Sequence, residues 1–391
     1  VSFVYEDLDF LTGQPYPQWA RARAECPVPL TEGMYEGRPT YHVTRWEDVD
    51  KVLRDPETFS SSINGDTMGP YMGEFILGMD GPEHRKYRAL VSHAFRPSAL
   101  ARWDEQVVRP TIAALLDELD GKARADLVTD LTSRYPVQVI CAIVGVPLED
   151  HAQFARWAQE VAMGPIDPAM GHAASQAMSD YLEPIVSARR QQPQGDLLSE
   201  LVTAEVDGER LTDERLYGFL RLLLPAGAET TFRVLGSTLA VLLSDEALFK
   251  RVLRDRSMLG PVIEETLRWE TSITSVARVT NRDVEIAGCP VPAGSAVAVH
   301  LGSANHDESR YEDPEEWKAD RAQATHVAFG WGPHLCLGMH LARLELETAL
   351  HAILDRFPAM RLDPDAAPPA IEGVVFRGPH SLPVLLGPAA P

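Results

Sequence analysis

The sequence predicts a mainly α-helical domain with a small β region. Three observations carry that expectation. Segments of helical periodicity follow one another from Pro82 to about Glu270. The pattern then changes to β-branched alternation over residues 284–301, and similar β-rich stretches lie near 34–45 and 373–387. No repeat and no long linker divides the 391 residues, so one domain over 1–391 is expected.

Taken in order, Thr40 to Pro56 (TYHVTRWEDVDKVLRDP) reads as a short strand and a short helix. Ser60 to Asp80, rich in Gly, Ser and Met, is expected to be a long loop with apolar tips at Met68, Tyr71, Met72, Phe75 and Ile76. Helices are expected over 82–94, 99–119, 126–144, 148–163, 169–191, 197–204, 213–243 and 245–254. Another runs from near Pro261, a residue suited to a first helical turn, to about Glu270. VEIAGCPVPAGSAVAVHLGSAN (Val284–Asn305) reads as strands. A Pro- and Asp-rich loop leads to FGWGPHLCLG (Phe329–Gly338), which precedes the helix LARLELETALHAILDRF. GVVFRGPHSLPVLL then suggests a closing hairpin.

Composition narrows the function classes. A formal charge of -21 repels phosphate backbones and argues against a nucleic-acid partner. The 4 cysteines, Cys26, Cys141, Cys289 and Cys336, form no CxxC pair, which argues for a reducing compartment rather than a disulfide framework. The chain opens on Val1, as expected of one lacking a few initial residues, and its acidic start does not read as a signal peptide. The longest apolar region, Leu216 to Leu243, is interrupted by Arg221, Glu229 and Arg233, too often for a membrane span. A cytoplasmic protein without a membrane anchor is expected.

Chemistry-bearing residues cluster in three places. Leu216 to Leu243 is apolar nearly all round, as a core helix is. Pro225 in its middle predicts a bend or local opening, and the small residues Ala226 and Gly227 make room beside it. Glu229 and Thr230 follow, with two readings. Glu229 pairs with Arg233 at i,i+4 while the threonines bond back to carbonyls, or acid and alcohol together relay protons. In GPVIEETLRWE, Glu265 and Arg268 are i,i+3 neighbours, by themselves an ordinary ion pair. In FGWGPHLCLG, a cysteine near a helix N-terminus favours a thiolate. Zinc held by His334, Cys336 and His340, a cysteine nucleophile, a haem thiolate and an inert turn all remain open from the local residues.

The ordered series AGAETT, EETLR, DPEEWKADR and FGWGPHLCLG resembles the cytochrome P450 family of haem-thiolate monooxygenases, its last member matching FxxGxxxCxG. The likeness runs from about His84 to the C-terminal hairpin, and the N-terminus resembles the soluble bacterial members. It implies the cytochrome P450 fold, haem b with Cys336 as axial thiolate, and N–H groups of Leu337 and Gly338 tempering the sulfur. Phe329, Gly332 and Gly338 would lie by the ring, with the loop glycines giving it clearance. His84, Arg88, Arg278 and His334 would hold the propionates. Ala226 and Gly227 would form the oxygen groove, Glu229 and Thr230 the proton relay, and Glu265, Arg268 and Arg321 a structural ion cluster. Two departures stand out: Pro225 before the groove, and ETSITS without the proline often found there.

The implied reaction inserts one atom of O2 into a C–H bond (hydroxylation, or related epoxidation or dealkylation) of a mostly apolar small molecule. Electrons would come from a ferredoxin and its reductase, docking on Arg85, Lys86, Arg96 and Arg102. A monomer is expected. Met68, Met72, Phe75, Ile76, Met163, Leu223, Ile273 and Phe376 are the candidates for the substrate pocket. The alternatives are a peroxide-driven peroxygenase and, in another class, a non-catalytic haem or zinc protein.

Overall fold

A computed structural model describes residues 8–9, 11–35, 37–164, 167–322 and 325–387. The first helix, α1 (Tyr16–Glu25), was not foreseen; α2 (Trp46–Arg54) was. Against expectation, 62–72 is not loop but helix α3 (Ser62–Met72), followed by a 3-10 turn at Ile76–Gly78. Its glycines and Pro70 make it a poor helix former. Tertiary contacts override that: Ile63, Tyr71 and Met72 are buried, and Asn64 Nδ2 donates to the Leu77 carbonyl at 3.1 Å.

The expected helical series follows. It comprises α4 (Gly81–Ser92), α5 (Pro97–Trp103), α6 (Arg109–Asp117) and α7 (Tyr135–Val144), with π-helical turns at Asp104–Val108 and Val128–Thr132. Next come α8 (His151–Ala162), α9 (Pro168–Gln191) and α10 (Leu197–Thr203). The central helix α11 (Asp213–Ser244) spans 32 residues, about 48 Å. Thr212 caps it by accepting from the Arg215 N–H at 3.3 Å. The helix is continuous through Pro225, which has no N–H to give the Arg221 carbonyl. After it come α12 (Glu246–Arg254), α13 (Leu259–Trp269), the short α14 (Leu301–Ala304) and α15 (Met339–Arg356).

The β region is larger than the sequence suggested. Strands β1 (Leu30–Tyr35), β2 (Arg38–Val43), β3 (Phe59–Ser60), β7 (Ser275–Thr280) and β10 (Ala296–His300) form one sheet in the order β1-β2-β10-β7-β3. Within it β2 and β10 run parallel, with Val43 opposite Val299. The unforeseen strand β7 is antiparallel to β10, with Arg278 opposite Val297. Three hairpins pair β5 (Glu205–Val206) with β6 (Glu209–Arg210), β8 (Val284–Ile286) with β9 (Cys289–Val291), and β12 (Ile371–Glu372) with β13 (Gly378–Pro379). The chain end departs from a simple hairpin: β14 (Pro383–Leu385) lies between β11 (Arg361–Leu362) and β4 (Arg124–Asp126). The main apolar core gathers around α11, with α7, α8, α13 and α15 packed on it. Among the described residues no helix is long and apolar enough to cross a membrane.

Candidate functional site

The cysteine loop is held by its own backbone. The Cys336 N–H donates to the Phe329 carbonyl at 2.9 Å, and Gly332–His334 forms a 3-10 turn. Cys336 is exposed by surface area, yet burial pushes its thiol pKa up. The two agree when the sulfur opens onto space enclosed by the fold. N–H groups of Gly338 and Met339, with the cations of Arg88 and Arg343, oppose that rise. Gly338, expected to temper the sulfur, is joined in that role by Met339, because α15 begins at Met339 and its first N–H groups are unpaired. Gly332 is required by its backbone and by a close neighbour. Its φ is +69°, and a Cβ there would lie 2.4 Å from the Leu53 carbonyl oxygen, so it seats the loop on α2. A Cβ on Gly338 would meet nothing within 4 Å.

Four basic side chains gather near this loop from distant parts of the chain. His84 on α4 and His334 lie with ring centroids 4.1 Å apart. His84 is 2% exposed, and its Nε2 has no hydrogen-bond partner. Burial, then the charges of His334 and Arg88, push its pKa down to about 4. Arg88 Nη2 donates to the Leu335 carbonyl at 2.6 Å. Arg278 on β7 is buried and donates through Nη1 to its neighbour's carbonyl, Ala277 O, at 2.7 Å. Burial lowers its pKa to about 10, against the opposing charge of Asp80. Sequence reasoning assigned Asp80 no role. Its carboxylate meets His334 Nε2 at 3.2 Å and accepts from Ser60 Oγ at 2.7 Å and the Ser61 N–H at 2.8 Å. Its position just before the Gly-Pro that opens α4 was the only available signal.

On α11, the bland readings of Glu229 and Thr230 are the ones seen in the hydrogen bonds. Thr230 Oγ1 donates to the Ala226 carbonyl at 2.9 Å. Arg233 Nε donates to Glu229 Oε1 at 3.0 Å, and Nη2 binds the same oxygen. Ala226 is exposed although it sits mid-way along a core helix, again marking enclosed space. A Cβ on Gly227 would lie 3.2 Å from Cγ1 of Ile140 on α7, so this glycine also lets the two helices pack closely.

Behind the loop lie two charged clusters. Arg268 donates to Glu265 through Nε and Nη2, each at 2.8 Å. Arg321 Nε reaches the same carboxylate at 2.9 and 3.1 Å, and the Lys318 N–H adds a bond at 2.9 Å. The expected triad is therefore assembled, and its side chains are 1%, 4% and 6% exposed for Arg268, Glu265 and Arg321. Beside it, Glu264 takes two bonds from Arg343, at 2.6 and 2.8 Å, and one from His326 Nε2 at 3.1 Å. Arg343 stacks 4.5 Å from the Phe329 ring centroid, so this second cluster fixes Phe329. Among the described residues no three His, Cys, Asp or Glu side chains converge as a metal-holding group, which leaves the zinc alternative without a ligand set.

Residues 163–379 match the family described as Cytochrome P450. Over 355 residues the chain is 36% identical to "Cytochrome P450 109" of Bacillus spizizenii, covering 87% of this chain and 84% of that one. It is 35% identical over 360 residues to the erythromycin C-12 hydroxylase of Saccharopolyspora erythraea, covering 89% of each. The structure of CYP109E1 from Bacillus megaterium, solved with testosterone, superposes with a TM-score of 0.86 at 33% identity, over 96% of this chain and 99% of that one.

The chain belongs to the cytochrome P450 family. It is a P450 monooxygenase, of a family that carries a haem-thiolate cofactor, uses O2 and redox partners, and binds organic substrates.

The residues of this P450 fit such a group. Haem brings two carboxylates into a fold, and buried carboxylates need charge-assisted donors. Among the described residues, the orphaned Nε2 of His84 and the Arg278 guanidinium, bonded only to a neutral carbonyl, are such donors. The accessible thiol of Cys336 and the open space over Gly338 would supply such a group with a ligand and clearance.

The pocket candidates fall into three sets. Met72, Phe75, Ile76 and Leu223 are buried in the main core, with Met68 packed against it. Ile273 and Phe376 face each other across an isolated β-bridge. Met163 is half-buried at the end of α8. The basic docking patch is weaker than expected: Lys86 pairs with Glu209, and Arg102 with Glu200 at 2.6 Å. Arg85 and Arg96 are exposed. A surface hollow of about 540 Å³ around His151, Arg189 and Asp196 shares no residue with this site.

Proposed function

We propose that this P450 binds haem b through Cys336 and oxidises a mostly apolar small organic molecule, with electrons from a ferredoxin and its reductase. What supports the reading most is the set of buried, under-satisfied donors beside an accessible thiol: His84 Nε2, Arg278 and Cys336. In this reading His84, Arg88, Arg278 and His334 hold the propionates, and Asp80 orients His334. Phe329 packs on the thiolate side, and Gly338 gives clearance. When bound, haem supplies the site where O2 is reduced and where the thiolate favours O–O cleavage.

The chain's own residues bind, orient and move protons. The balance is R–H + O2 + two electrons + two protons giving R–OH + H2O. Glu229 and Thr230 meter those protons, and the space at Ala226 leaves room for dioxygen. Without metered protons the same electrons leave as H2O2. Of the candidates, Met68, Met163, Ile273 and Phe376 keep accessible surface and are proposed to meet substrate, while Met72, Phe75, Ile76 and Leu223 belong to the apolar core around them.

The test is a CO difference spectrum of the reduced protein, with product and peroxide measured against NAD(P)H consumed. A thiolate-type band lost in Cys336→Ala, and peroxide release raised in Thr230→Ala, are expected. Turnover with peroxide alone, and none with any ferredoxin system, would replace this reading by a peroxygenase.

A further inference from the structure

We infer that Arg233 is a positioning residue for Glu229, and that it couples this acid to the turn carrying Phe376. The inference rests on the proposed relay of Glu229 and Thr230.

The pair has an uneven geometry. Both Arg233 donors converge on Glu229 Oε1, at 3.0 Å for Nε. Among the described residues Oε2 takes no hydrogen bond, nor is it a buried atom left unpaired. Arg233 therefore pins one oxygen and leaves the other accessible for proton exchange. The two side chains are only 12% and 14% exposed, so this is not a solvated surface pair. For stability alone, an apolar pair would serve as well as a half-desolvated ion pair.

Arg233 is itself held by a ring of its own helix and by groups from outside it. Its guanidinium carbon lies 4.9 Å from the Phe232 ring centroid and 5.8 Å from that of Phe376. The β12–β13 hairpin rests directly on it: a Cβ built on Gly378 would be 2.8 Å from Arg233 Cβ. That turn is rigidly fixed. Arg377, 1% exposed, donates to Glu270 at 2.6 and 3.1 Å and to the Gly373 carbonyl at 2.6 Å. Its N–H bonds the Ser272 carbonyl at 3.0 Å, and the Thr274 N–H bonds the Val375 carbonyl at 2.9 Å. Phe376 is thus presented beside Ile273 by an anchored frame, with Arg233 between it and the acid. A substrate that shifts the Phe376 ring is felt at Arg233, and through it at Glu229.

The experiment compares Arg233→Met, Arg233→Lys, Glu229→Gln and Arg233→Met/Glu229→Gln as haem-loaded enzymes. Product formed per NAD(P)H, peroxide released, substrate KM and the reduced CO spectrum are measured. Arg233→Met is expected to lower coupling by at least about threefold, a modest share of what positioned acid–base groups contribute. KM and the thiolate band should change little, and Arg233→Lys should restore most of the coupling. In the Glu229→Gln background the Arg233→Met change should have less than about a twofold effect, since coupled residues are non-additive. Normal coupling in Arg233→Met while Glu229→Gln uncouples would overturn the inference and leave the relay standing. Normal coupling in Glu229→Gln would overturn the relay and the inference with it. If Arg233→Met fails to take up haem, Arg233→Gln, which removes the charge but keeps a polar side chain, takes its place: coupling below wild type at unchanged KM supports the inference, and wild-type coupling overturns it.

Discussion

Glu265 is the position where removing one carboxylate should hurt most. It accepts five hydrogen bonds, four from the guanidinium groups of Arg268 and Arg321 and one from the Lys318 N–H. Arg268 has only neutral partners otherwise: the carbonyls of Asn305, Pro314 and Glu316, at 2.7, 2.9 and 3.1 Å, and the Tyr311 ring. Glu265→Gln keeps the shape but strands two nearly buried cations. Breaking a buried pair in this way costs about 3–5 kcal/mol, a large part of a typical 5–15 kcal/mol total. The five bonds are not summed, because they share one carboxylate and are not independent. Urea unfolding followed by far-UV circular dichroism, with the yield of thiolate-type CO band, measures both fold and haem uptake. Arg268→Met/Glu265→Leu should remain destabilised, because the Asn305 and Pro314 carbonyls then lose their donor and Arg321 loses its carboxylate. A Glu265→Gln protein within about 1 kcal/mol of wild type would refute the reasoning, since that is the worth of a surface pair.

Four further outcomes are expected. Glu264, despite burial that works the other way, is held by Arg343 and His326 down to about 2 from an ordinary 4.5. Its contribution is therefore full above about pH 4.5 and lost as the pH falls from there toward 2, about 1–2 kcal/mol once solvent screening is allowed for; urea unfolding at pH 6 and pH 3 should show a smaller drop in Glu264→Gln. Gly332→Ala, forced onto φ +69° and against the Leu53 carbonyl, should cost about 1–3 kcal/mol in thermal unfolding and weaken haem retention. His84→Leu removes an orphaned donor, so the haem-free protein should unfold no more easily, while haem should transfer to an acceptor globin about tenfold faster or more. With Lys86 and Arg102 already paired, raising salt should slow reduction by an acidic ferredoxin mainly through Arg85 and Arg96, and Arg85→Glu/Arg96→Glu should flatten that salt dependence in stopped-flow.

Much of this protein was legible as text. Helix periodicity placed nearly every helix from α4 to α13, because a buried face writes its 3.6-residue repeat directly into the chain. The four ordered motifs led to the family, and the Glu265–Arg268 pair needed only i,i+3 geometry to be foreseen. The misses share one cause. Helix α3 has no propensity signal and exists through its packing, and β7 is a strand because β10 and β3 flank it. Asp80 acts on His334 across 254 positions. Lys86 and Arg102 looked like free cations until Glu209 and Glu200 were brought to them, and the seating of Gly332 on α2 had no sign in the sequence. Periodicity, capping and i,i+4 spacing are local and survive in one dimension. The partner of a buried charge, the direction of a glycine's missing Cβ and the ring that covers Arg233 depend on which distant segments the fold makes neighbours, and only the packed chain supplies them.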